Sequence, residues 1–238
     1  AKVLITGHTG FKGAWLSAWL KKLGAEVVGI SLEELDNLSH FNVSNIDIGM
    51  RDYRLDIRNQ KALNEIVQSE EPDFVFHLAA QALVRQSYDD PVATWSTNVI
   101  GTLNLLESLR LLKKSCYAVM ITSDKCYDNV EWVWGYKETD ALGGPDPYSA
   151  SKACAELITK VYMESFFKEK GPSIATTRAG NVIGGGDWAL DRVVPDCVRA
   201  WAKGEKVEIR NPNATRPWQH VLEPLSGYLV LGQKLFQG

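Results

Sequence analysis

Tyr148 and Lys152 are the pair of residues whose types and spacing most directly suggest chemistry. Asp146 followed by Pro147 is typical of a helix start, so Tyr148 and Lys152 are predicted to share one helix face, a turn apart. A lysine ammonium stabilises a nearby phenolate, which makes a phenol of pKa ~10 a usable base at neutral pH. Ser123, predicted at a strand end, supplies a hydroxyl for the same substrate oxygen. The pattern predicts a tyrosine base for alcohol oxidation; the alternative is an exposed tyrosine beside a solvated lysine.

A glycine-rich loop lies near the other end of the chain, directly behind the apolar residues 3–6. It has the spacing Gly-x-x-Gly-x-x-Gly, one residue longer than the dinucleotide fingerprint, and it lacks the Gly-Lys-Ser/Thr ending of a P-loop. A strand, a tight turn and a helix start would aim free backbone N–H groups at a pyrophosphate. We therefore predict a dinucleotide site, with an ordinary strand-to-helix turn as the alternative. Its residues are Gly7, Thr9, Gly10, Phe11, Lys12 and Gly13.

Charges around the second predicted strand bear on the choice between NAD and NADP. Glu33 lies about 20 positions after Gly13, where an acidic residue would meet the ribose 2'-hydroxyl of NAD. No Arg or Lys follows Ser31 until Arg51, which also favours NAD. Lys12 favours NADP if it meets a 2'-phosphate, although a solvated loop lysine is the more frequent case. NAD is the prediction, and NADP stays open.

Apolar and amphipathic stretches alternate along the chain. Strands are predicted at residues 3–6, 27–31, 53–56, 74–78, 119–122 and 174–178, and helices at 15–23, 61–68, 99–112, 148–167 and 194–203. This alternation predicts an α/β fold of Rossmann type, a doubly wound parallel sheet with helices on both faces. Ligands bind such sheets at the carboxyl ends of the strands. That rule adds to the predicted cofactor site Asp56, Ile57, Leu78, Ala79 and Ala80, although small residues also let helices pack.

The alternation fades after Gly180, which indicates a second part of the chain. We predict a dinucleotide-binding domain at residues 1–178. Residues 179–238 are predicted to begin a small substrate-binding part that is interleaved with the first domain and largely absent from this chain. Within it, residues 184–188 and 210–213 are predicted to form long loops.

Composition and charge are those of an ordinary globular protein. The 238 residues are 45% hydrophobic and 23% charged, and a formal net charge of -3 suggests neither a nucleic-acid nor a membrane partner. No apolar run approaches the ~18 residues of a membrane span, and no signal peptide precedes the first strand, so we expect a cytosolic protein. The four histidines and four cysteines lack ligand spacing, which predicts reduced thiols and no metal site.

Several blocks of sequence resemble the extended short-chain dehydrogenase/reductase family, specifically its nucleotide-sugar branch. The blocks are the glycine loop, Tyr148 with Lys152, and residues 122–127, 131–136, 178–188 and 216–221, which together span nearly the whole chain. The resemblance implies a Rossmann fold, NAD as cofactor and a CDP-sugar as substrate. It also implies a homodimer, or a tetramer, in which the helices predicted at 99–112 and 148–167 form a four-helix bundle.

The resemblance further implies a dehydration with a role for each residue of the site. The sugar C4 hydroxyl is oxidised with Tyr148 as the base, assisted by Ser123 and Lys152. Water is then lost across C5 and C6, and the hydride returns to C6. Asp124 matches the acid that acts on the C6 oxygen. Lys125 stands where the broader family has a glutamate base for C5, and it can be a base only if its pKa falls well below ~10.4; otherwise it positions Asp124 or binds phosphate.

The remaining residues implied by the resemblance contact the cofactor or the substrate. Asn98 is assigned to the cofactor, and the substrate contacts are Arg85, Ser87, Asn181, Arg216 and His220. For any one of them a surface or core role is equally consistent with the sequence. His220, for example, lies in an apolar run and would serve equally as a buried histidine.

Two other functions stay open. A nucleotide-sugar 4-epimerase would use the same NAD and Tyr148 but would leave Asp124 and Lys125 without a role. A non-catalytic dinucleotide sensor would have no use for Tyr148, Lys152 and Ser123 together, so their joint presence disfavours it.

Overall fold

A six-stranded parallel sheet forms the centre of the molecule, seen in a computed structural model that describes residues 1–34 and 37–238. The strands are β1 (Lys2–Thr6), β2 (Glu26–Ser31), β3 (Arg51–Arg54), β4 (Phe74–His77), β5 (Tyr117–Ile121) and β6 (Ser173–Thr177). Their order in the sheet is β3-β2-β1-β4-β5-β6. Because the order reverses between β1 and β4, this is a doubly wound Rossmann sheet, and the predicted fold class is confirmed.

Helices cover both faces of this sheet. They are α1 (Phe11–Lys22), α2 (His40–Val43), α3 (Gln60–Glu70), α4 (Val84–Asp89), α5 (Pro91–Trp95), α6 (Gly101–Arg110), α7 (Pro147–Tyr162), α8 (Val193–Ala202) and α9 (Leu222–Gln237). A π-helical turn at Ser96–Ile100 joins α5 to α6, and another at Met163–Phe167 extends α7. The predicted helix start at residue 99 is therefore wrong. The helical run begins at Pro91, where the Asp90 side chain accepts a hydrogen bond from the Ala93 N–H.

The two faces of the sheet bury separate apolar layers, because successive strand residues point to opposite faces. Leu4 packs in the layer with α3 and α6, whereas Val3 and Ile5 pack in the layer with α1 and α9. Helix α9 was not predicted, yet its Leu225 and Tyr228 are fully buried against this second face. Part of the segment after residue 178 thus covers the sheet.

Three further features position the loops at the carboxyl edge. Strand β3 ends at Arg54, two residues before the predicted end, so Asp56 and Ile57 lie in the following loop. A short parallel pair, β7 (Val182–Ile183) and β8 (Gln219–His220), joins two distant loops. The four cysteines are free thiols. Among the described residues, no helix is both long and apolar enough to cross a membrane, and no group of three or more His, Cys, Asp or Glu is arranged to hold a metal ion.

Candidate active site

The glycine loop forms a tight turn between β1 and α1. Gly7 has φ of 78°, and its N–H donates to the Ile30 carbonyl at 2.7 Å. A Cβ on Gly7 would lie 2.7 Å from the Ala79 nitrogen, and a Cβ on Gly13 would lie 2.0 Å from the Gly7 oxygen. Gly10 is the N-cap of α1, and within residues 1–34 and 37–238 no side chain caps that first turn. The backbone therefore forms a cradle that suits the pyrophosphate of a dinucleotide.

A cation from β3, Arg54, lies beside the residues that follow β2, where the sequence pattern did not place one. Glu33 is exposed and pairs with Arg54 of β3 at 3.0 Å, and Arg54 also binds Asp52 at 2.8 Å. The Thr9 and Ser31 hydroxyl oxygens are 2.8 Å apart, which fixes the glycine loop against the end of this strand. Arg54 thus lies beside Glu33, where a cation could meet a 2'-phosphate. The absence of Arg and Lys between residues 31 and 51 is therefore a weaker argument for NAD than the sequence suggests.

Lys12 points towards α9 instead of the ribose end of the loop. Its Nζ donates to the Tyr228 hydroxyl at 3.3 Å. The pKa of Lys12 is lowered to about 8, chiefly by burial and also by the positive charge of Arg192, while Asp124 opposes the shift. The alternative of a solvated loop lysine is therefore wrong, because Lys12 is half-buried and hydrogen-bonded to Tyr228. Its contact with the cofactor stays a prediction.

Residues predicted to line the adenosine side follow β3 and β4. The Asp56 carboxylate accepts from Arg58 Nε at 2.9 Å, and Ile57 is buried where a Cβ on Gly101 would lie 2.4 Å from its Cδ1. The residues after β4 are half-buried at the carboxyl edge of the sheet, as expected: Leu78, Ala79 and Ala80.

Asn98 lies inside the π-helical turn rather than before a helix. It is buried, its Oδ1 accepts from the Gln81 N–H at 2.9 Å, and its Nδ2 donates to the Ser151 hydroxyl at 2.9 Å. The side chain therefore joins the segment after β4 to α7. Its observed contacts are structural, whereas the sequence prediction assigned it to the cofactor.

His77, at the end of β4, connects β1 to the same helical run. Thr102 donates its hydroxyl proton to the Asn98 carbonyl at 2.7 Å, so it must accept from His77 Nε2, 3.0 Å away. His77 Nδ1 is then the acceptor for the Thr6 hydroxyl at 2.7 Å. Burial lowers the pKa of His77 to about 3, so the ring is neutral and serves as a fixed hydrogen-bonding spacer.

Helix α7 begins as the sequence predicts and carries Tyr148 in its first turn. Asp146 Oδ1 accepts from the Ser149 N–H at 2.9 Å, and Pro147 is the first helical residue. Tyr148 is only 8% exposed, and burial raises its pKa, whereas Ser123 hydrogen-bonds to it and lowers that pKa. The Ser123 hydroxyl lies 3.1 Å from Asp124 Oδ1. A phenol, a hydroxyl and a carboxylate therefore meet at the carboxyl end of β5.

Lys152 lies one turn further along the same face of α7. Its Nζ donates to the Ile121 carbonyl at 3.3 Å. The pKa of Lys152 is lowered to about 7, chiefly by burial and also by the positive charge of Lys12, while Glu156 opposes the shift. The predicted lowering of the Tyr148 pKa by Lys152 is therefore not what the structure shows, because burial of the phenol dominates. Lys125 is half-buried, and its backbone N–H donates to the Ser123 hydroxyl at 3.3 Å.

Two of the predicted substrate residues lie on α4. Arg85 is exposed, and its Nη1 is 2.9 Å from Asp191 Oδ1. Ser87 is fully buried, and its hydroxyl donates to the Val84 carbonyl at 2.6 Å. Arg85 is therefore accessible to an anion, whereas Ser87 is buried with its hydroxyl hydrogen-bonded within α4.

The β7–β8 pair brings the other predicted substrate residues together. The Asn181 carbonyl accepts from the Gln219 N–H at 3.0 Å, which places Asn181 beside the strand that carries His220. His220 is exposed, and its Nδ1 accepts from the Leu222 N–H at 3.3 Å, so the alternative of a buried histidine is wrong. Arg216 is exposed in the loop before β8, with Nη1 2.6 Å from the Thr215 carbonyl.

Comparison with known families is consistent with this architecture. The family model described as GDP-mannose 4,6 dehydratase matches residues 4–234. The chain belongs to this dehydratase family. It is 50% identical over 240 residues to the CDP-glucose 4,6-dehydratase of Salmonella typhimurium, a match that covers 99% of this chain and 67% of that protein.

Solved structures resemble the dehydratase-family fold over almost its whole length. The UDP-glucose 4-epimerase of Thermus thermophilus, in complex with NAD, has a TM-score of 0.82 and 27% identity over 97% of this chain and 74% of that one. The dTDP-glucose 4,6-dehydratase of Streptomyces venezuelae has a TM-score of 0.86 over 98% of this chain and 72% of that one. Its identity is 24%, so that likeness concerns the fold alone.

Two residues that contact or underlie the predicted site residues were missed by the sequence reasoning. Tyr228 reaches Lys12 across 216 positions of sequence, and no local pattern signals such a contact. Glu156 is buried beneath the site, where it binds Arg178 at 3.1 Å. It lies four positions after Lys152, so the helical period that paired Tyr148 with Lys152 extends to Glu156 and would have identified it.

Proposed function

We propose that this protein dehydrates CDP-glucose to CDP-4-keto-6-deoxyglucose and water, with NAD as its cofactor. The observation that carries the proposal is the grouping of Tyr148, Ser123 and Asp124 at the carboxyl end of β5, in the same sheet edge as the glycine-loop cradle. The nucleotide and the sugar come from the Salmonella relative, whose name states that it acts on CDP-glucose.

The residues that would hold NAD lie along this edge. The cradle of Gly7, Gly10 and Gly13 would receive the pyrophosphate, and the loop with Asp56 and Ile57 would lie at the adenosine. Bound there, NAD would supply the hydride acceptor for C4 and the hydride donor for C6. The NAD complex of the Thermus epimerase, 27% identical to this chain, supports the choice of NAD.

The protein's own side chains would move the protons. Tyr148 removes the proton of the C4 hydroxyl, while Ser123 holds that oxygen. Asp124, half-buried and hydrogen-bonded to Ser123, donates a proton to the C6 hydroxyl as it leaves. We assign removal of the C5 proton to Lys125, the next residue in the chain. Lys125 would return a proton to C5 when the hydride reaches C6. The competing role, in which Lys125 only positions Asp124 or binds phosphate, leaves the C5 base to another group.

The substrate diphosphate would meet the exposed arginines. Arg85 and Arg216 present planar guanidinium groups that suit phosphate oxygens. Asn181 directly precedes β7, and His220 lies on β8. Ser87 stays a predicted contact, although it is buried and its hydroxyl is hydrogen-bonded to the Val84 carbonyl.

We also infer that two copies of the chain pair through α7 and the helical run of residues 91–110. The two helices pack against each other, and apolar side chains are exposed along them: Trp95, Ile100, Leu157, Val161 and Phe166. Such a row of exposed apolar residues is typical of an interface. The cytosol stays the predicted compartment.

Incubation of the protein with CDP-glucose and NAD tests the function, with mass spectrometry as the readout. The expected result is loss of one water without net reduction of the cofactor. Tyr148→Phe is expected to lower turnover about 10²- to 10⁴-fold and to leave dinucleotide binding intact. Interconversion at unchanged mass would instead identify a 4-epimerase. Dinucleotide binding without turnover of any nucleotide sugar would identify a sensor.

A further inference from the structure

The carboxylate of Glu156 receives four hydrogen bonds beneath the candidate active site. Its Oε1 accepts from the Thr122 hydroxyl and from Arg178 Nε at 3.1 Å. Its Oε2 accepts from the Thr176 hydroxyl at 2.8 Å and from Arg178 Nη2 at 3.1 Å. Glu156 is only 6% exposed. Every oxygen of a buried charge is thus satisfied, and the guanidinium binds it in the bidentate geometry that gives such pairs their directional precision.

This network joins the three elements that build the site. Glu156 lies on α7, one turn after Lys152 and two turns after Tyr148. Thr122 follows β5 directly and precedes Ser123, while Arg178 follows β6. One carboxylate therefore connects the helix of the tyrosine to the strand end of the serine and the aspartate.

We propose that Glu156 is a positioning residue of this active site: it holds the Ser123-Asp124 segment at a fixed place opposite Tyr148 and keeps a negative charge near the Lys152 amine. The inference rests on the proposed function. Glu156 acts through other residues, because Thr122 is covalently linked to Ser123 and the Arg178 guanidinium lies 4.6 Å from the Tyr127 ring centroid, over the loop that follows Lys125.

The charges around Lys152 make the second part of the proposal measurable. The groups that face or adjoin its amine are Lys12 on α1, His77 on β4, Cys126 after β5, and Tyr148 and Glu156 on α7. His77 is neutral, and burial raises the pKa of Cys126 to about 11, so the thiol is neutral as well. Among these groups Glu156 is the anion that favours the ammonium form of Lys152. Removing its charge should make Lys152 lose its proton at lower pH.

The test compares Glu156→Gln with a matched control, Glu70→Gln. Glu70 is equally buried and accepts from Arg51 Nη1 and from the Tyr53 hydroxyl, both at 2.7 Å, at the opposite edge of the sheet. Both variants lose a buried ion pair, so both are expected to unfold more easily. We expect Glu156→Gln alone to lower kcat/KM, by about 10²-fold, because a small misplacement of reacting groups has that effect.

The pH profile separates positioning from mere loss of stability. We expect the alkaline limb of kcat/KM to move to lower pH in Glu156→Gln and to stay in place in Glu70→Gln. Glu156→Asp keeps the negative charge on a shorter side chain. It should restore the pH of the alkaline limb more completely than it restores the value of kcat/KM. If Glu156→Gln matches Glu70→Gln in both rate and limb, the inference is overturned although the proposed function stands.

A second readout needs no turnover and decides the inference if the unmodified protein proves inactive. The side chain of Lys152 can be titrated by NMR of its ¹³Cε resonance, assigned by its loss in Lys152→Met. We expect the titration midpoint to fall in Glu156→Gln and to stay unchanged in Glu70→Gln. An unchanged midpoint in both variants would overturn the inference, whereas an inactive unmodified protein would overturn only the proposed function.

Discussion

Lys152 has a proton affinity in the fold that differs from its affinity in the unfolded chain. It is 7% exposed, and burial lowers its pKa to about 7, whereas a lysine in an unfolded chain has a pKa of ~10.4. Between these two pH values the unfolded chain keeps a proton that the native protein has released. Stability rises with pH wherever the unfolded state binds more protons. Lys152 therefore destabilises the fold most below pH 7, and this effect disappears as the pH approaches the pKa of a lysine in the unfolded chain.

We expect the free energy of unfolding to rise with pH in this window because of Lys152, by up to about 1.4 kcal/mol per pH unit. Urea unfolding from neutral to alkaline pH would measure it, with Lys152→Met as the variant that loses this contribution. Lys160→Met is the control, since Lys160 is 71% exposed on the same helix. A constant difference between Lys152→Met and the unmodified protein at every pH would contradict the expectation.

Two helices of this protein begin with the same Asp-Pro pair, and only one of them carries the candidate base. Asp146 caps α7, and Asp90 caps α5 by accepting from the Ala93 N–H at 2.8 Å. Both carboxylates satisfy an N–H group that the helix itself leaves unpaired. Because Tyr148 lies in the first turn of α7, the cap of that helix also determines how well the phenol is positioned.

Asp146→Ala and Asp90→Ala are each expected to lower the free energy of unfolding by about 1 kcal/mol. Turnover should fall in Asp146→Ala but change little in Asp90→Ala, because fraying of α7 displaces Tyr148 from Ser123. Urea unfolding and initial rates of dehydration would measure the two effects. Equal loss of turnover in both variants would show that the cap acts on activity only through overall stability.

At the scale of the whole molecule, the exposed apolar face of α7 predicts association between copies. Leu157 and Val161 are 50% and 53% exposed on this helix. In Leu157→Glu we expect the dimer dissociation constant to rise about 10²-fold, because an unpaired carboxylate buried at an interface costs several kcal/mol. Sedimentation velocity would measure it. Val230→Glu on α9, at 52% exposure, is the control that should leave the dimer intact. A monomeric unmodified protein would contradict the proposed interface.

Local patterns were enough to predict the sheet, most helices and the residues that meet at its carboxyl edge. Buried parallel strands appear as apolar runs, and the Asp-Pro start of α7 contains its own capping group, so both are encoded within a few residues. Gly13 was recognisable for the same reason, because the tight turn that excludes a Cβ there involves Gly7 and His8, six and five positions earlier. The order of these patterns then implied a shared edge, since parallel strands all end on one side.

The electrostatic arrangement of the site came from contacts between distant parts of the chain. Lys12 meets Tyr228, 216 positions away, and Glu156 meets Thr122, 34 positions away. Helix α9 lay beyond the region of regular alternation, yet it buries Leu225 and Tyr228 against the sheet. Burial and charge partners decide whether a lysine is solvated, whether a phenol's pKa rises and whether a histidine is neutral. Burial and charge partners depend on which surfaces come together when the chain folds, so they cannot be predicted from short-range spacing.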